Sequence, residues 1–125
     1  MKFALLLRVT AVVLLLSGAA VLLFPVWVLA LYGTTLTRGG LVLARSFGAA
    51  YVALGILAWQ LRGTRQPVVR QGFSLGFIAC FGLGFVVFFV AQLQGVYNAL
   101  GWFDVLLNGF LAGAYIYHIM NPEQT

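Results

Sequence analysis

The sequence predicts an all-α fold, an integral membrane four-helix bundle with short loops, and three observations predict it. Of 125 residues, 63% are hydrophobic and only 7% charged, with a mean hydropathy of +1.07. A soluble domain needs far more charge to cover its surface, so lipid is the expected solvent. Four apolar runs are each long enough to cross a bilayer, which takes roughly 20 residues per helix. The basic residues gather in alternate connections, the pattern that orients multi-pass chains.

The first run spans 3–24, with Pro25 near its end. Its basic start, leucine-rich middle and Ser17-Gly18-Ala19 also fit a secretory signal, but Arg8 interrupts the would-be signal core. Val26 to Tyr32 is too short to cross and suits the headgroup level with its aromatic rings, and Gly33, Thr34, Thr35, Gly39 and Gly40 read as turn. The second run is 41–61, followed by Arg62, Arg65 and Arg70 in the one strongly basic loop. The third is 72–93 and the fourth 102–120, separated by an outer loop from Gln94 to Gly101. Residues 1–125 thus form one transmembrane domain with no separate catalytic domain.

Arg62, Arg65 and Arg70 outweigh Arg38 in the first loop, and Lys2 and Arg8 lie at the N-terminus. The positive-inside rule then places both termini in the cytoplasm, with the tail Asn121 to Thr125 inside. The net charge of +5 reports orientation before it reports a polyanionic partner, so nucleic acid is not expected. Cys80 is the one cysteine and supplies neither a disulfide nor a metal pattern.

Ionisable residues inside spans cost several kcal/mol unless paired or hydrated, which makes them the first candidates for a site. Arg45 lies just over a turn into the second span and Asp104 under a turn into the fourth. Both helices start on the outer side, so an Arg45–Asp104 ion pair is expected. It serves either as a structural register device or as a ligand site in which Arg45 meets an anionic headgroup. At roughly 100° per residue, Asp104, Asn108, Leu111, Tyr115 and His118 form one stripe expected to face the bundle interior. Gly109 and Gly113 fall on the opposite side as a GxxxG pair, and Gly72, Gly76, Cys80 and Gly84 form a small-residue seam on the third helix, expected to pack within the monomer. Arg45, Gly48, Val52, Gly55 and Trp59 share a face of the second helix. That face either admits neighbouring side chains or, with Tyr115, lines a pocket for a ligand tail. Trp27, Tyr32, Tyr97 and Trp102 match an interfacial aromatic belt.

His118 is the lone histidine, and one imidazole makes no protein-only metal site; a tetrapyrrole with a single axial ligand is the remaining metal reading, behind an interfacial hydrogen-bonding role. The carboxylates are Asp104 and Glu123 alone. With no nucleophile, base and orienting acid in a recognisable arrangement, no enzyme activity is expected.

Phe24-Pro25, Leu31-Tyr32-Gly33 and, above all, the run from Arg45 through Gly48 to Gly55 resemble the DoxX-like group of small four-helix bacterial membrane proteins. Some members of that group are linked with quinone-dependent redox systems. The resemblance implies an accessory role beside a redox or lipid-handling system, with Arg45 the position carried over. The expected function is therefore a bacterial inner-membrane helper. It is either a subunit of a larger membrane complex or a binder of a lipid or quinone, with no other cofactor. The competing expectation is a homo-oligomeric transporter or channel, joined through Gly109 and Gly113, with Arg45, Asp104 and Asn108 along a path for a small solute or proton.

Overall fold

The computed structural model describes residues 2–121. The expected inward tail at 122–125, with Glu123, lies outside the described residues. Five helices follow in order: α1 Phe3–Leu23, α2 Pro25–Leu31, α3 Arg38–Gln60, α4 Pro67–Leu93 and α5 Gly101–Met120. All but the short α2 are long and apolar enough to cross a membrane. The chain is an all-α four-helix bundle of the multi-pass membrane class.

Two of the boundaries move outward from those expected, for local reasons. The Thr37 hydroxyl accepts a hydrogen bond from the Gly40 amide at 3.0 Å, which starts α3 at Arg38 rather than at 41. Pro67 occupies the first turn of α4, where its missing N–H costs nothing, so the helix begins five residues before the expected 72 and takes Arg70 into its first turn. The aromatic segment after Phe24 is itself helical, with Pro25 again in the opening turn. Gly33, at φ 77°, ends the turn that follows; an L side chain there would be strained and would also press on Asn98.

The four long helices assemble as two pairs, α1 on α3 and α4 on α5, and the pairs meet along α1 and α5. The α1–α3 pair is a backbone contact. A Cβ placed on Gly18 would lie 2.7 Å from the Gly48 carbonyl oxygen, and one on Gly48 would lie 2.7 Å from the Gly18 oxygen. Gly55 is closed by the Leu15 side chain and its backbone nitrogen. In lipid the hydrophobic effect does not drive helices together, so such close approach supplies the dispersion energy instead. The α4–α5 pair sets side chains on glycines: the Phe85 ring rests on Gly109, and the Asn108 amide rests on Gly84.

At the end where α1 begins, the two pairs are locked by a buried layer. Thr10 of α1 and Tyr115 of α5 share a 2.6 Å hydrogen bond between hydroxyls, both fully buried. Phe77 stacks beside Tyr115 at 5.2 Å and beside Phe81 at 5.7 Å. Phe3 sits edge-on to both Tyr115 and His118, with the Arg70 guanidinium 5.2 Å over its ring. Lys2, Arg8, Arg62, Arg65 and Arg70, five of the seven cationic side chains, belong to this half of the bundle.

Candidate functional site

At the opposite end the two helix pairs separate, and a cavity of about 570 Å³ opens between them. Val13, Ser17 and Ala20 of α1, Val28 and Leu29 of α2, and Phe47 and Tyr51 of α3 form one wall. Phe81, Val87 and Phe88 of α4, with Leu107 and Asn108 of α5, form the other. Leu16, Phe47 and Val87 are lining residues that remain 68%, 46% and 64% exposed, so the cavity is open sideways between helices. The stacked layer of Phe77, Phe81 and Tyr115 closes it toward the basic end. Between the two, Tyr51 of α3 lies beside Cys80 of α4.

The one carboxylate of this mostly apolar space, Asp104, and the phenols of Tyr32 and Tyr97 lie at its outer end, and a short loop helps to put them there. Asn98 ties the α4–α5 connection to the end of α2. Its amide donates to the Tyr32 carbonyl at 2.9 Å and its side-chain Nδ2 to the Leu31 carbonyl at 2.9 Å. Gln92 in turn donates to the Asn98 carbonyl at 2.9 Å, and Asn98 Oδ1 accepts from the Leu100 amide at 3.0 Å. This staple brings the Tyr32 and Tyr97 rings edge to face at 5.6 Å, and Phe88 lies 6.1 Å from Tyr97. The Tyr32 phenol lies beside the Asp104 carboxylate, which belongs to the first turn of α5. Burial first, then the Asp104 carboxylate, pushes the Tyr32 phenol well above its ordinary range; burial, then Asp104, also raises Tyr97. Both therefore remain neutral hydroxyls at physiological pH.

Asp104 and Asn108 sit together on this wall, and Asn108 Nδ2 donates to the Asp104 carbonyl at 2.8 Å. Asn108, Leu111, Tyr115 and His118 are buried and Asp104 half-buried, so the stripe faces inward over its whole length. Only its first two residues reach the cavity; Tyr115 belongs to the packed layer beneath, and His118 is buried against Phe3.

Arg45 is not there. The expected Arg45–Asp104 pair does not form: Arg45 is exposed on α3, and Asp104 lies beside Tyr32 in the cavity. The cause is helix rotation. Gly48, Gly55 and Ala58 turn toward α1, the cavity-lining Ala44, Phe47 and Tyr51 follow on one side of that stripe, and Arg45 falls roughly 90° round on the other side. The expected pocket beneath Arg45 is likewise absent, because α1 backbone and Leu15 fill the space at Gly48 and Gly55. Trp59 is exposed at the basic end with the Arg62 guanidinium 4.2 Å over its ring. Gly72 and Gly76 meet nothing within 4 Å and border a shallow groove facing Leu54 of α3, so they are not a packing seam. Gly113 is also open, while its expected partner Gly109 is used inside the chain by Phe85.

Sequence reasoning missed Gly18, Asn98 and the joint role of Tyr32, Tyr97 and Phe88. A small-residue run at Ser17 to Ala20, able to face Gly48, was the available signal for the first; a lone amide beside a tyrosine in a short loop was a weak one for the second. No family profile, curated protein or solved structure matches the chain. The fold defines its class as a multi-pass helical membrane protein with an open cavity between its two helix pairs.

Proposed function

We propose that this protein is a small inner-membrane helper that holds an amphiphilic molecule, a lipid or a quinone, in the cavity between its two helix pairs. One observation carries the reading: a half-enclosed, mostly apolar space of about 570 Å³ has its one carboxylate and two phenols at one end and side openings between helices. Such a volume is in the range of small-molecule sites. An amphiphile can enter sideways with its tail against Leu16, Val87 and Leu107 and its head beside Asp104 and Tyr32. The ordering matches a molecule that already lies in a bilayer.

The basic end, with five cationic side chains against Arg38 and Arg45 at the other, supports a cytoplasmic position for both termini. The resemblance to the DoxX-like group supports an accessory role in a bacterial membrane. The packed Phe77–Phe81–Tyr115 layer favours holding over conduction, since it stands between the cavity and the basic end.

Photocrosslinking tests the reading. A benzophenone amino acid at Leu107, inside the cavity, is expected to capture one amphiphile of defined mass from the native membrane. The same group at Leu106, which is 71% exposed, is expected to capture the bulk lipid mixture. Capture of the same mixture at both positions would overturn the proposal.

A further inference from the structure

The head end of the cavity has one sign of charge and one kind of wall. Asp104 is the one ionisable carboxylate among the lining residues, and no lysine, arginine or histidine lines the space. Its neighbours Tyr32, Tyr97 and Phe88 present aromatic faces and edges to the same end, held at 5.6 Å and 6.1 Å centroid spacings. The Asn98 staple fixes two of these rings, Tyr32 through its own carbonyl and Tyr97 through the adjacent backbone. A carboxylate in a poorly hydrated place is costly without a counter-charge, and a cation is the ligand that would stabilise its charged form. Ring faces attract a diffuse organic cation through their quadrupoles, most strongly where water is excluded. The nearest basic side chains on α3, Arg38 and Arg45, are exposed and turn away from the cavity, so an anionic head finds no partner inside.

We infer that the cavity selects amphiphiles whose polar head is an organic ammonium group, bound between the Asp104 carboxylate and the Tyr32, Tyr97 and Phe88 rings, with the apolar body extending toward Phe81 and Leu107. This rests on the reading of the cavity as an amphiphile site and narrows its ligand. The ammonium can belong to an aminophospholipid or to a single-chain lipophilic amine; the recognition chemistry is the same.

Three probes with the same tail test it: tetradecyltrimethylammonium, tetradecanol and tetradecanoate, doped at equal mole fraction into dodecyl maltoside micelles carrying the full chain. Native mass spectrometry counts the adducts. The ammonium adduct is expected to exceed the alcohol adduct at least tenfold. Asp104→Asn should bring the two close to parity without loss of the alcohol adduct, and Phe88→Leu should lower the ammonium preference several-fold while leaving the carboxylate in place. Competition by added phosphatidylethanolamine would assign the ammonium to a lipid headgroup, and its failure to compete would assign it to a free lipophilic amine; both outcomes support the cation site. Equal retention of the three probes, or preference for tetradecanoate, overturns the ammonium assignment while the amphiphile cavity stands. Retention of none overturns the cavity reading itself.

Discussion

Replacing Gly48 by alanine should weaken the bundle sharply, whereas the same change at Gly76 should leave it unaltered. At Gly48 the new Cβ would lie 2.7 Å from the Gly18 carbonyl oxygen, 2.8 Å from the Leu22 nitrogen and 3.2 Å from the Leu22 Cα. All three are backbone atoms of α1, so no side chain can rotate away, and the two helices must separate by several tenths of an ångström along their whole contact. Overpacking of this kind costs about 1–3 kcal/mol. The upper half of that range is expected here, because separation also loosens Gly18 and Gly55, which belong to the same contact. At Gly76 a Cβ meets nothing within 4 Å, so a change within about 0.5 kcal/mol is expected. Reversible unfolding in mixed micelles, titrated with sodium dodecyl sulfate and followed by circular dichroism, measures both. Equal effects of the two substitutions would refute the account of the α1–α3 contact. A larger loss at Gly76 would restore the small-residue seam of α4 as the packing surface.

Other consequences are checked as directly. Thr10→Val and Tyr115→Phe should show a coupling of about 1 kcal/mol in a double-mutant cycle, the size found for buried hydrogen bonds between membrane helices; additive effects would contradict the 2.6 Å bond. Asn98→Ala should release the α4–α5 loop from α2, seen as faster amide hydrogen exchange at Gly33 and Thr34, while exchange at Tyr115 stays slow. Arg45→Gln should change neither stability by more than about 0.5 kcal/mol nor amphiphile retention, since Arg45 is exposed and does not line the cavity. The Tyr32 phenol, raised above the ordinary value of 10.0, favours the folded state in its neutral form. Its contribution is fully present below pH 10 and is lost as pH rises beyond it, when the unfolded chain ionises first. Tyr32→Phe should flatten that alkaline loss.

The helices were legible in the sequence because hydropathy over roughly 20 residues is a one-dimensional property that lipid imposes on each span separately. The inward stripe of α5 was legible for a related reason: Asp104, Asn108 and His118 are costly to expose to lipid, and the helical period links them. What composition could not supply was which helices are neighbours. Arg45 and Asp104 start at similar depths, yet α3 packs on α1 and α5 on α4, and depth says nothing of rotation about the axis. Glycines misled for a similar reason. Gly48 and Gly109 admit a backbone and a ring, Gly72 and Gly76 admit nothing, and only the opposing surface separates these cases. The cavity was illegible because it exists where two pairs diverge, and its head end depends on Asn98 joining segments 67 residues apart.

The central claim is that the space between the helix pairs holds one amphiphile. Native mass spectrometry of the protein released gently from its own membrane, beside a Leu107→Trp variant that fills the cavity, tests it most directly. The account predicts one retained amphiphile per wild-type chain and its loss from the folded variant. Equal retention by both proteins, or none by the wild type, would contradict it.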